Sequence, residues 1–295
     1  MTDRIDSELA GFDGTPLFLR TWKAETPRGL VYFVHGLGEH GGRYEELAAL
    51  VNDAGFTAGS ADHRGHGRSG GLRGHVDGFV EYDRDLDIVL KHFREAEGAD
   101  LPLLLFAQSM GGLVALKFVL DHPDVDLAGV ALSNACLGVA VKAPKVKVAA
   151  ARLLSRLLPR MRLDNELKTV DLCKDPVAVK AYEDDPLVGR LISTRWYTSL
   201  LAAMEETNAR AAELKVPSLW LIGAKDVIVD PDSSRRFVAG VPGGTAEAVE
   251  FPEAMHEPHN EPEKADVHAA LLTWIDARMA AITTTAEDSE AAAAG

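Results

Sequence analysis

The sequence predicts an α/β chain: a mostly parallel central sheet flanked by helices, with a helical cap inserted in its second half. Three observations carry this. Short, continuously apolar runs alternate with amphipathic helical stretches, which is the pattern of strands buried on both faces. One long stretch, residues 137–212, interrupts the alternation with helical periodicity and Pro-marked turns and holds no convincing strand. The chain has 295 residues, 46% hydrophobic and 26% charged, so it has the composition of a soluble globular protein and the length to bury a sizeable core.

The strand candidates are residues 29–34, 57–62, 101–107, 127–133, 216–223 and 246–251. The first runs into a glycine-rich loop, and the third has five apolar residues in a row after Pro102. Helical patterns fill 44–54, 79–97, 111–121, 231–239 and 261–281. The expected organisation is a core of 1–136 and 213–281, a cap of 137–212, and a Thr-, Ala- and acid-rich tail of 282–295 that frays.

Composition removes several function classes. A formal net charge of −14 repels backbone phosphates, so no nucleic-acid partner is expected. Cys136 and Cys173 are the only cysteines, which excludes a disulfide framework and argues against a cysteine-built zinc site. The start of the chain lacks the basic and apolar regions of a secretory signal, and no run approaches the roughly 20 apolar residues of a membrane span. The expectation is a cytoplasmic protein.

The most informative segment is Phe106-Ala107-Gln108-Ser109-Met110-Gly111-Gly112, between a buried strand and a helix. A serine on so sharp a turn presents its hydroxyl at the carboxyl end of the sheet, and its neighbours two residues away on each side must be small. Here they are Ala107 and Gly111. Read alone, the segment also fits a helix N-cap serine. An acid and a histidine in suitable places decide between the two. Asp226 follows the strand candidate 216–223, and His256 follows 246–251. Parallel strands bring their carboxyl-end loops to one sheet edge, so His256 is placed to take the proton of Ser109, and Asp226 to orient the imidazole and stabilise its charged form. Asp230 and Asp232 are better explained as the cap and first turn of the helix opened by Pro231. His259 lies one turn nearer the next helix, where Asn260 reads as an N-cap.

Acyl transfer also needs N–H donors aimed at the developing oxyanion. Met110 N–H, beside the nucleophile, is one. The loop Val34-His35-Gly36-Leu37-Gly38-Glu39-His40 offers the other at Leu37, with Gly36 and Gly38 allowing close backbone approach. As a phosphate loop the segment fails, since no Gly-Lys-Ser/Thr follows. His256-Glu257-Pro258-His259 has the wrong spacing for two zinc ligands on one helical turn, and His63-Arg64-Gly65-His66 is a poor metal pair. No cofactor or metal is implied.

With these segments in place, the chain resembles the monoacylglycerol lipase and lysophospholipase branch of the α/β hydrolases. The resemblance rests on His35-Gly36-Leu37-Gly38-Glu39-His40 with Arg43-Tyr44, on Asp62-His63-Arg64-Gly65-His66-Gly67-Arg68-Ser69 with Arg73-Gly74-His75-Val76, on Gln108-Ser109-Met110-Gly111-Gly112, and on Asp226 and His256-Glu257 with Asn260-Glu261. It implies the α/β-hydrolase fold, a triad of Ser109, Asp226 and His256, oxyanion donors at Leu37 and Met110, and a helical lid that carries substrate choice. The expected function is hydrolysis of single-chain lipid esters through an acyl-enzyme on Ser109. The alternatives are a lysophospholipase, a general carboxylesterase or a non-catalytic ligand-binding relative. Ala107 and Gln108 depart from the usual Gly and His of the pattern. The 62–69 loop is expected to be structural.

The cap start is electrostatically distinct. Lys142, Lys145, Lys147, Arg152, Arg156, Arg160 and Arg162 fall in a stretch without one acid, leaving 24 basic against 45 acidic residues elsewhere. Leu153, Leu154, Leu157, Leu158 and Met161 form a helical stripe beside an arginine row. Two readings follow: leucines packed on the mouth of the site with arginines solvated, or a face that contacts a membrane or micelle. The first is preferred.

Overall fold

The computed structural model describes residues 3–140 and 144–294. The chain opens with an antiparallel hairpin, β1 (Asp3–Ala10) and β2 (Pro16–Lys23). Then β3 (Gly29–Val34), α1 (Glu45–Asp53), β4 (Phe56–Ala61), α2 (Val80–Glu97), β5 (Leu103–Gln108), α3 (Met110–Asp121) and β6 (Gly129–Ser133) alternate. The insertion carries α4 (Lys145–Leu157), β7 (Arg162–Asp164), α5 (Pro176–Asp184), β8 (Leu191–Ser193) and α6 (Thr194–Asn208). The core closes with β9 (Ser218–Gly223), α7 (Pro231–Gly240), β10 (Ala246–Phe251) and α8 (Lys264–Ala294). The main sheet is ordered β1-β2-β4-β3-β5-β6-β9-β10 and is parallel from β4 onward. This is the α/β-hydrolase fold.

Side-chain alternation along the central strands divides the core. Val31 and Phe33 of β3 and Leu104 and Phe106 of β5 face one side, against Leu47 and Val51 of α1 and Leu271 and Ile275 of α8. Tyr32 and Val34, with Leu105, face the other, against α2, α3 and α6. Strands β3 to β6 and β9 are buried along their whole length, so their apolar runs carry no polar alternation. Gly129 is required by packing: a β-carbon there would meet the Trp274 ring at 2.6 Å.

Four features differ from the sequence reading. The β1–β2 hairpin was not expected, because β1 is mostly exposed and polar and takes its structure from pairing with β2. The cap holds a short antiparallel ribbon, β7–β8, where no strand was expected; three-residue strands leave no periodic signal. Helix α8 continues to Ala294 through the segment expected to fray, consistent with the helix propensity of its alanines. Asn260 does not cap that helix: its side chain donates to Glu257 Oε2 at 2.7 Å, and α8 begins four residues later.

The cap stripe also departs from the packed reading. Leu153, Leu157 and Leu158 are 58%, 67% and 52% exposed. Helix α4 instead seats Ser155 on α6, through Thr198 Oγ1 at 2.8 Å and the bond from Arg195 Nη2 to the Ser155 carbonyl at 3.0 Å. Lys142 lies outside the described residues, as does the side chain of Lys145. The 62–69 loop is a structural brace. Asp62 accepts from the Arg20 guanidinium and from the N–H groups of Gly41 and Arg68, and Arg64 is gripped by Asp85, Asp13 and Glu81.

Candidate active site

Ser109 stands between β5 and α3 with φ 53° and ψ −118°, a conformation L-residues avoid. The surroundings impose it. A β-carbon at Gly111 would overlap the Val34 carbonyl oxygen, so α3 can lie this close to β3 only with glycine there. The methyl of Ala107, where glycine is usual, is accommodated in the core.

Ser109, Asp226 and His256 come together. His256 Nε2 lies 3.0 Å from Ser109 Oγ, and its Nδ1 lies 2.7 Å from Asp226 Oδ2. Asp226 Oδ1 accepts from the N–H groups of Ile228 and Val229 at 2.8 and 2.9 Å, which fixes the carboxylate. All three residues are buried. Burial alone disfavours the imidazolium of His256, but the Asp226 charge and hydrogen bond outweigh it and hold the ring above its ordinary pKa. The group is therefore a stronger base than a free imidazole.

The rival residues are explained elsewhere. Asp230 accepts from Asp232 N–H at the start of α7 and is its N-cap. His259 is sandwiched by Tyr44 and Phe106, and burial pushes it down to about 3. His35 and His63 are buried neutral rings bonded to each other's backbone. Among the described residues no group of three or more His, Cys, Asp or Glu is placed to hold a metal ion.

Leu37 and Met110 line the same cavity as Ser109. Gly36 N–H is spent on Glu39 Oε1 at 2.5 Å. Among the described residues Leu37 N–H has no acceptor, and Met110 N–H begins a helix and has no intrahelical one. Both N–H groups are unengaged beside the cavity over Ser109.

Two supporting residues were missed in the sequence. Gln108 Nε2 and Asn134 Nδ2 both donate to the His256 carbonyl, at 2.8 and 3.1 Å. Asn134 Nδ2 also holds the Met255 carbonyl, and Asn134 Oδ1 accepts from Gly223 N–H. Gln108 thus ties the histidine loop to β5, the strand that carries Ser109 at its end. Asn134 adopts φ 41° just after β6, and asparagine after a buried strand was its only sequence signal. We expect Asn134→Ala to lower kcat tenfold or more while Ser109 still labels with a fluorophosphonate, since the histidine loses its fixed position but not its chemistry.

The cavity over Ser109 holds about 150 Å³. Leu167, Leu172, Ile192, Leu200 and Trp196 make much of its wall apolar, while Glu39, Arg43, Glu257 and Tyr182 form a polar end. There Arg43 bridges Glu39 and Glu257, whose carboxylates are buried. Glu257 is disfavoured as an anion by burial, but Arg43 more than compensates and holds it down at about 2. The cap is tied over the site by His40 Nε2, which donates to Asp185 at 2.8 Å.

Residues 25–263 match the family model described as serine aminopeptidase, S33. A crystal structure of the monoacylglycerol lipase of Paleococcus ferrophilus superposes with a TM-score of 0.81 at 35% identity, covering 89% of this chain and 99% of that one. Phospholipase YtpA of Bacillus subtilis is 32% identical over 87% of this chain and 98% of its own length. A monoacylglycerol lipase of Mycolicibacterium smegmatis is 32% identical over 92% and 97%. Among the described residues no helix is long and apolar enough to cross a membrane.

Proposed function

The chain belongs to the α/β-hydrolase superfamily, in the serine aminopeptidase S33 family and on a branch related to monoacylglycerol lipases, and on that premise we propose that it is a serine ester hydrolase acting on single-chain lipid esters such as monoacylglycerols. The observation that carries this is the continuous hydrogen-bonded line from Asp226 through His256 to a strained Ser109 under an apolar cavity. Ser109 Oγ attacks the ester carbon as His256 takes its proton. The tetrahedral oxyanion is received by the N–H groups of Leu37 and Met110. Collapse expels the alcohol, protonated by His256, and leaves an acyl-enzyme that water cleaves by the same route. The apolar wall suits an acyl chain, and the Glu39–Arg43–Glu257 end suits a hydroxylated alcohol.

Purified protein offered monoacylglycerols, lysophosphatidylcholine, amide analogues and p-nitrophenyl esters from C2 to C16 tests this. Glyceride turnover that disappears in Ser109→Ala supports it. Turnover of short p-nitrophenyl esters alone makes the chain a general esterase, and amide turnover would favour the peptidase chemistry named in the family model. At about 150 Å³ the cavity is smaller than most ligand pockets, so rates are expected to fall toward C16.

The same reading includes contact with a lipid surface through α4. Leu153, Leu157 and Leu158 are exposed beside Arg152, Arg156 and Arg160, for which no acid partner is present among the described residues. Anionic vesicles are expected to float the protein, and the triple Arg→Gln variant to float several-fold less. Equal, weak flotation of both would remove this element.

A further inference from the structure

A second cavity, of about 380 Å³, lies between the 65–74 loop of the core and the 186–191 segment of the cap. Among the described residues its wall carries Arg73, Arg162 and Arg190 and no carboxylate. In a chain of net charge −14 that is unusual, because the arginines of the core are mostly engaged. Arg20 pairs with Asp62, Arg64 with Asp85 and Arg43 with Glu257. Among the described residues, Arg73 and Arg162 pair with no acid. Arg190 only reaches Asp164 at 4.0 Å, and spends one N–H on the Leu167 carbonyl at 3.3 Å.

The three arginines are mounted on a rigid frame. Arg162 faces Ser193 across the β7–β8 ribbon. Ser193 N–H donates to the Gly74 carbonyl at 2.7 Å, next to Arg73. Asn165 N–H donates to the Arg190 carbonyl at 2.8 Å. A β-carbon at Gly74 would overlap the Leu191 carbonyl, and Gly74 has φ 65°, so the core loop and the cap meet here only because that residue is glycine. Only Arg190 has a carboxylate within reach, Asp164 at 4.0 Å, so the positive charge facing this cavity is left largely uncompensated. An anion compensates it, and guanidinium forks match tetrahedral oxyanions geometrically.

This cavity and the one over Ser109 are neighbours, lined by adjacent residues of the same segments. Leu37 lines the Ser109 cavity and the next residue, Gly38, lines the arginine cavity, where its carbonyl accepts from Gly189 N–H at 2.7 Å. On the cap side, successive residues of β8 point oppositely, Leu191 into one cavity and Ile192 into the other. We infer that the arginine cavity is an anion site that takes a phosphate group, carried either by the headgroup of a single-chain phospholipid substrate or by a free phosphate. The headgroup source rests on the ester-hydrolase reading; phosphate binding itself does not.

Calorimetric titration of the full chain with inorganic phosphate at low ionic strength tests the site directly. Saturable binding at one site is expected, weakened roughly tenfold in each of Arg73→Gln and Arg162→Gln, the loss of one charge-assisted pair. Arg84→Gln, an arginine outside the cavity wall that stacks on Phe12 and pairs with no acid among the described residues, should leave it within twofold. No saturable binding, or an equal loss in Arg84→Gln, overturns the inference. The source is then read from kinetics on lysophosphatidic acid and on the matching monoacylglycerol. A headgroup site makes phosphate competitive with lysophosphatidic acid, and the Arg73 and Arg162 variants then raise its KM more than that of the glyceride. A free-phosphate site changes both substrates alike. Phosphate binding without ester turnover would keep the site and remove the hydrolase reading; turnover without phosphate binding would do the reverse.

Discussion

Ser109→Ala is expected to lower ester turnover by about 10⁶-fold and Asp226→Asn by about 10⁴-fold, with only the second also moving the pH profile. The difference follows from what each side chain does. Removing Oγ removes the attacking atom, leaving only what the oxyanion donors and the cavity supply. Removing the Asp226 charge leaves the geometry near Ile228 and Val229 in place but takes away the force that opposes burial at His256. In the native chain that force holds the imidazole above its ordinary value near 6.5, so the base is lost to protonation as pH falls through a point above 6.5. The acid limb of kcat/KM should therefore have its inflection above 6.5. In Asp226→Asn, burial is unopposed by that charge, the imidazole stays neutral to lower pH, and the inflection should move down even as the rate collapses. A profile of kcat/KM between pH 5 and 9 for both proteins checks this. An unchanged inflection in Asp226→Asn would mean that Asp226 does not set the ionisation of His256.

Much of the site was legible because each of its parts is announced locally. Ser109 and Asp226 each follow a buried apolar strand and His256 follows the part-exposed edge strand β10, and parallel strands place their carboxyl-end loops together whatever the sequence distance. Small residues around Ser109 are required by the approach of α3 to Val34, and Ala107 and Gly111 spell that requirement out within two residues of the serine. What was not legible depends on partners remote in the chain. β1 forms because β2 is beside it, and β7 because β8 returns to it. Asn134 looks like a turn residue until its amide is found on the histidine loop. The three arginines of the second cavity come from three separate segments, none of which carries a signal alone. The exposed leucines of α4 teach the converse. A helical apolar stripe fixes a face, but it does not say whether protein or something else covers it.

Arg43→Ala is expected to destabilise the fold by about 3–5 kcal/mol, the cost of leaving buried carboxylates without their cation. Arg43 donates to Glu39 Oε2 and in a fork to both oxygens of Glu257. Glu39 in turn holds Gly36 N–H and the Tyr44 hydroxyl, and Glu257 adjoins His256. One guanidinium thus joins the loop that carries Leu37 to the loop that carries His256. Because Glu257 is held at about 2, below its ordinary range, its contribution to stability is fully present above about pH 4.5 and is lost as pH falls toward 2. Without Arg43, burial raises Glu257 instead of being overcome, so the variant should lose stability at neutral pH and recover part of it on mild acidification, as the stranded carboxylates take up protons. Arg43→Lys should fall between the two, since an ammonium supplies charge but cannot fork onto Glu257. Urea denaturation of the three proteins at pH 5 and pH 7.5 measures this. A change below 1 kcal/mol in Arg43→Ala, or a variant whose stability falls with acid in parallel with the native chain, would show that solvent rather than Arg43 compensates Glu39 and Glu257. Activity should drop alongside stability, and further in kcat than in KM, because the polar bridge sets the relative position of the oxyanion loop and the base as well as lining the cavity.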